Sequence, residues 1–234
     1  MPLRRLATLV LTGLLAGVLG GVLVGCGGGS SSDVDPETAM KTAQQKLEDT
    51  SGLTLSLTTD DLPDGVQGVS SASGTLTDAP AFDGSLGVTL SAGSFSVPVK
   101  AVDGKVYAQI PLTPGFSTVD PADYGAPDPA QLLTSDAGIP AILAATTDLK
   151  QGDDVRGGVD NKEVLTTYTG TVSASAVSHL IPGASGDFAA TYAVTDDGEL
   201  REASLTGVFY PGKPAMTYTL LLTDYGTSKD ITAP

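Results

Sequence analysis

The chain has one cysteine, one histidine and no tryptophan, and its 12 Lys and Arg are outnumbered by 27 Asp and Glu. Each shortage closes off a class of function. With Cys26 alone, no intramolecular disulfide can form. A zinc centre needs several His or Cys ligands, and His179 with Cys26 does not supply them. A Ser-His-Asp triad would have to be built around His179, and no Gly-x-Ser-x-Gly elbow accompanies it. Beside Leu180 on a short helical segment, His179 reads as a surface or packing residue. A formal charge of −15 repels phosphate backbones and anionic headgroups, so nucleic acid is not an expected partner. The acid pairs Asp60-Asp61, Asp153-Asp154 and Asp196-Asp197 have the chemistry of a calcium site or of paired hydrolytic carboxylates. Each falls at a predicted turn, however, where Asp serves backbone geometry. The residues therefore point to no enzyme, no metal and no cofactor.

What is present begins at the N-terminus. Arg4 and Arg5 precede an uncharged, mostly apolar run from Leu6 to Val24 that ends at small residues before Cys26. This is the order of a secretory signal, with a positive n-region, an apolar h-region and a cleavage site. A helix over this run would just cross a hydrocarbon core of about 30 Å. Interspersed Gly and Thr weaken that alternative, and Leu23-Val24-Gly25-Cys26 resembles the lipobox of bacterial lipoproteins. The expectation is a signal peptide over 1–25 and acylation of the Cys26 thiol. A lipidated Cys and Gly/Ser-rich tether over 26–34 would then hold the rest of the chain at the outer face of a membrane. Acylation also explains a lone thiol in an oxidising compartment.

The remainder reads as sheet, with abundant Gly, Thr, Val and Ser. One helix is clear. Asp35 is its N-cap, Pro36 its first residue, and Ala39, Met40, Ala43 and Leu47 share a face, with Gly52 expected to end it. Leu53, Leu55 and Leu57 then alternate with Thr54, Ser56 and Thr58, as in a half-buried strand. The same period recurs at Leu86, Val88 and Leu90, at Phe95, Val97 and Val99, and at Val106, Ala108 and Ile110, giving three or four consecutive antiparallel strands. Asp103-Gly104 is placed as a two-residue hairpin turn. A Pro- and Asp-rich loop over Pro111 to Pro129 and a short helix over Gly138 to Thr147 follow. A second sheet half runs from Lys150, through Lys162 to Val172, a short helix near Ser175 to Leu180, and Phe188, Ala190, Tyr192 and Val194. It continues over an Asp197-Gly198 turn to Leu205 and Phe209, then to Met216, Tyr218, Leu220 and Leu222. So long a meander with so little helix either packs a dry core or curls around a concavity able to hold an apolar ligand.

Four segments resemble one family in their order along the chain. They are Val102-Asp103-Gly104-Lys105-Val106-Tyr107-Ala108, Asp128 to Leu133 leading into Gly138 to Ala144, Gly170 to Val177, and Leu222-Thr223-Asp224-Tyr225-Gly226. Together they are similar to the LppX/LprAFG lipoproteins of mycobacteria and related actinobacteria. The resemblance implies an α+β fold, a curved antiparallel sheet (half-barrel) with a few helices over the concave face enclosing an apolar cavity. It implies binding and carriage of lipids or lipoglycans with long acyl chains across the cell envelope, without enzymatic activity. The expected lipid-binding residues are Leu55, Leu57, Leu86, Val88, Val97, Val99, Phe188, Tyr192, Tyr218 and Leu220, with Cys26 as the lipidation site. The chain departs from the family in having Tyr225 where tryptophan is usual, and in a Tyr210 to Pro214 turn that looks inserted. Both departures are expected to lie away from the cavity. A second reading is a structural or adaptor lipoprotein with a filled core, acting through its acidic surface on a partner such as an envelope transporter.

Overall fold

Alternating apolar and hydroxyl-bearing residues produce a sheet with one buried face and one Ser/Thr face. In the computed structural model, which describes residues 34–111, 113–124 and 126–234, this sheet has eleven strands. They are β1 (Gly52–Thr58), β2 (Gly68–Thr77), β3 (Ala81–Leu90), β4 (Gly93–Val102), β5 (Lys105–Ala108), β6 (Ser117–Val119), β7 (Thr147–Gly157), β8 (Glu163–Ser173), β9 (Ser185–Val194), β10 (Leu200–Val208) and β11 (Met216–Thr223). Their order is β6-β5-β4-β3-β2-β1-β11-β10-β9-β8-β7, antiparallel throughout. The first and last strands pair at the centre, through Leu55 opposite Leu222 and Leu57 opposite Leu220. β6 and β7 are free edges, so the sheet does not close. Val34–Pro234 form one compact unit with its own core. The expected signal peptide, Cys26 and the tether up to Asp33 lie outside the described residues.

The outer face is tied by hydroxyl pairs across strands. Ser204 meets Thr219 at 3.0 Å and Thr206 meets Thr217 at 2.9 Å, so β10 and β11 are joined by side chains as well as by backbone. The inner face is covered by helical segments, α1 (Pro36–Asp49), α2 (Ile139–Ala144) and α3 (Ala174–Val177). The Asp35 carboxylate accepts from Thr38 N–H at 3.1 Å, capping α1, and Ala39, Met40, Ala43 and Leu47 are buried. The helix stops at Asp49, before Gly52. Thr50 is extended, because its hydroxyl bridges the Gly52 carbonyl and the Gly226 N–H, and Gly52 already belongs to β1.

Several expected boundaries shift for identifiable reasons. β2 escapes the period-2 pattern because its sequence is GVSSASGTLT, with a register slip between Val69 and Ser71. α2 ends three residues before Thr147, the first residue of β7, which pairs with Thr171 of β8. α3 starts at Ala174 and gives way to tight turns up to Ile181, where Pro182 prevents continuation. The Pro111 to Pro129 loop contains the short edge strand β6 and a 3₁₀ turn at Pro121–Tyr124. Asp103 and Gly104 both have positive φ, 54° and 67°, as their two-residue turn requires. At the β9–β10 hairpin, expected at Asp197-Gly198, only Gly198 is left-handed. Gly198 N–H bonds Thr195 O and Thr195 N–H bonds Glu199 O, so the turn spans Asp196-Asp197 with a bulge at the glycine. Asp153 and Asp154 are not in a turn but within β7, where the ladder to β8 is interrupted between Gln151 and Asp154 and Asp154 accepts from the Thr166 hydroxyl. Asp61 receives Thr217 N–H at 3.1 Å beyond the end of the β1–β11 ladder. This bond, with the Thr59 hydroxyl, holds its carboxyl below the usual range.

Candidate functional site

Between the inner face and its helical cover lies apolar space in two lobes. The smaller, of about 170 Å³, is floored by β1 and β11 through Leu55, Leu57, Tyr218 and Leu220. It is roofed by Ile139 and Ile142 of α2 and by Val177, Leu180 and Ile181 around α3. The larger, of about 520 Å³, lies over β3, β4 and β5, with Val88, Val97, Val99 and Ala108 in its wall. Val69, Leu86, Pro129, Ile181, Phe209 and Tyr210 line both lobes, so the two share a wall. Protein interiors pack to crystal-like density, so voids this large are features of the fold and not gaps between side chains. The larger lobe alone falls within the range of small-molecule sites, roughly 300–1,000 Å³. Apolar spaces of this kind hold water poorly and take up hydrocarbon.

The expected residues divide between the lobes. Leu55, Leu57, Leu86, Tyr192, Tyr218 and Leu220 line the smaller one, and Leu86, Val88, Val97 and Val99 line the larger. Phe188 lines neither. It is fully buried behind Phe209, with ring centroids 4.7 Å apart, and Phe209 is the ring that faces both lobes. Tyr210, in the turn expected to lie away from the cavity, lines both lobes. Tyr225 lines neither, and its hydroxyl donates to the Leu200 carbonyl at 2.8 Å. The roof went unassigned at the sequence level. Ile139 and Ile142 carried a helical signal, whereas Ala126 to Leu132 is Pro-rich and shows no period.

The hydroxyls of Tyr192, Tyr210 and Tyr218, which line the smaller lobe, are all hydrogen-bonded. The Thr146 hydroxyl donates to the Ile142 carbonyl at 2.9 Å, so Tyr192 is the donor in its 2.7 Å contact with Thr146. Burial pushes the Tyr192 phenol up to about 12 against the lowering effect of that bond. Burial, then the neighbouring Tyr210, also raises Tyr218 far above the ordinary tyrosine value. Both rings therefore stay neutral. Among the described residues, no Lys, Arg or His lines either lobe, and the charged lining is limited to Asp123 in the larger one. The arrangement offers mainly hydrocarbon contact.

The family model for LppX_LprAFG lipoproteins matches residues 35–232. The chain belongs to the LppX/LprAFG lipoprotein family. Membership makes it an exported, envelope-associated protein. The fold is that of LprF from Mycobacterium bovis, which is 14% identical with a TM-score of 0.69, over 85% of this chain and 96% of that one. It is also that of the lipoprotein LppX from Mycobacterium tuberculosis, 19% identical with a TM-score of 0.63, over 85% and 100% of the two chains. No curated protein matches by sequence.

Proposed function

We propose that this LppX/LprAFG member is a lipid carrier that is acylated at Cys26, anchored to the outer face of the cell membrane, and not an enzyme. It takes the acyl chains of a lipid or lipoglycan into its two lobes and moves them across the envelope. The observation that carries this reading is the apolar lobe of about 520 Å³ joined along a shared wall to a second of about 170 Å³. Each methylene moved from water into such a space contributes about 0.8 kcal/mol, so one long chain supplies ample binding free energy. The adaptor reading requires a filled interior, and these voids argue against it. Native mass spectrometry on residues 27–234, purified without detergent, tests the proposal. A mass excess that organic solvent releases as an acyl lipid is expected. A lipid-free chain that also refuses triacylglycerol and diacyl phospholipid added in detergent would overturn it. The anchor is tested separately in the full chain, where Cys26→Ala should abolish partitioning into detergent once the signal peptide is removed. Continued partitioning would show that another segment holds the membrane.

A further inference from the structure

Large apolar side chains exposed to solvent are few among the described residues, and three of them, Leu90 (37%), Ile110 (36%) and Tyr124 (56%), line the larger lobe. They come from three separate segments, the last residue of β3, the chain just after β5, and the 3₁₀ turn at Pro121–Tyr124. Pro111, Pro121 and Pro182 line the same lobe. The lobe thus opens at one end of the sheet through an apolar rim whose members no single local pattern brings together.

We propose that this rim is a docking surface for a lipid bilayer, entering the headgroup layer so that the larger lobe opens directly onto acyl chains. The inference rests on the carrier reading for its purpose, though not for its test. Continuity identifies the occupant. The apolar wall runs from Val97 and Val99 inside to Leu90, Ile110 and Tyr124 outside, so a chain leaving the lobe passes along apolar surface and avoids water only if hydrocarbon begins at the rim. A tyrosine there suits the boundary, with its ring on the apolar side and its hydroxyl among headgroups. Charge sets the mode of attachment. Among the described residues the lobe has Asp123 and no basic residue, and Lys213, at the same end of the sheet, is bonded to the Asp64 carbonyl at 2.8 Å. Insertion is therefore apolar, with neutral or zwitterionic headgroups preferred over anionic ones.

The test uses residues 27–234, which contain the whole compact unit and lack the acyl anchor. With phosphatidylcholine vesicles, a measurable fraction should float, and Leu90→Asp combined with Ile110→Asp should cut partitioning at least tenfold. The natural chain has no tryptophan, so single reporters are unambiguous. Emission of Tyr124→Trp should shift to the blue on adding vesicles. That of Val159→Trp, exposed at the β7–β8 turn at the other end of the sheet, should not. These reporters keep the question open to decision if the double variant unfolds. Absence of flotation, equal flotation of wild type and a folded double variant, matched shifts at both reporters, or binding confined to phosphatidylglycerol vesicles would each overturn the proposal. Loading with pyrene-labelled triacylglycerol separates this inference from the carrier reading. Rim variants should load slowly from vesicles and at the wild-type rate from ethanol dilution, and equal slowing by both routes would overturn docking. If no label enters by either route while flotation behaves as expected, docking stands and the carrier reading falls.

Discussion

Tyr218, on β11, reaches across β1 and donates its hydroxyl to the carbonyl of Val69 on β2 at 2.6 Å. Because that bond uses its only proton, Tyr210 is the donor in the 3.0 Å contact between the two hydroxyls. Val69 lies where the β2–β3 register slips, so a side chain from two strands away satisfies a carbonyl at a weak point of the ladder. Tyr218→Phe keeps the ring in the lobe but strips the Val69 carbonyl of this partner and the Tyr210 hydroxyl of its acceptor. The expected loss is about 1–3 kcal/mol, read as a lower urea midpoint, with lipid occupancy little changed. An unaltered midpoint would mean that water replaces both bonds without cost.

The buried tyrosines also fix an alkaline limit. An unfolded tyrosine releases its proton near the ordinary value of 10, whereas folded Tyr192 holds its proton up to about 12. Between those values the folded state binds more protons, so stability is full below pH 10 and falls as pH rises towards 12. The slope for one such group is about 1.4 kcal/mol per pH unit. Tyr218 and Tyr225 are raised as well and act with the same sign. Tyr192→Phe should make the fall between pH 10 and 12 less steep, since Thr146 keeps its bond to Ile142 without the phenol. A pH profile identical to wild type would show that Tyr192 does not carry the effect.

Gly207, near the end of β10, is required for space. A Cβ there would overlap the Phe188 ring, and Phe188 packs against Phe209 with the two rings tilted by 59°, while Phe209 in turn meets Tyr218 edge-on at 4.9 Å. Gly207→Ala should therefore push this aromatic row towards the lobes. Overpacking of this kind costs about 1–3 kcal/mol. Lower lipid occupancy should accompany the lower melting temperature, because Phe209 lines both lobes. A normal melting temperature would show that Phe188 moves without disturbing its neighbours.

The sheet's inner face was legible because β1, β4, β9 and β11 each place an apolar residue at every second position, and the pleat turns that period directly into a face. β2 was not, since Ser and Gly fill it and its pairing partners, not its composition, make it a strand. Floor positions such as Leu57 and Val97 could therefore be named from the sequence, whereas the roof could not. Pro127, Pro129 and Ile181 reach the lobes through irregular chain whose path is set by long-range packing. Phe188 shows the complementary error. Alternation places it on the inner face, but only the intervening Phe209 decides that it touches the core and not the cavity. Tyr210 shows the reverse, a turn residue brought inward by its hydroxyl contact with Tyr218.

Bulk added to a void and bulk added to a packed core should have opposite consequences, and the chain offers both settings. Val88 and Val97, from adjacent strands β3 and β4, line the larger lobe. Ala43 is fully buried on α1 and lines neither lobe. At Ala43→Leu the extra methylenes have no free space, and about 1–3 kcal/mol should be lost. At Val88→Trp or Val97→Trp the indole projects into open volume, so the melting temperature should fall by no more than a few degrees. The same ring removes space that a ligand would occupy, so lipid occupancy should drop severalfold. The comparison pairs a melting curve with native mass spectrometry for each variant. If Val97→Trp loses many degrees and its occupancy falls only in proportion to the unfolded fraction, that lobe is core in solution and the acyl chains bind elsewhere. If it melts near the wild-type temperature and its occupancy is unchanged, the lobe is open space that the ligand does not use. Only a fall in occupancy without a matching fall in stability places acyl chains between β4 and the helical cover.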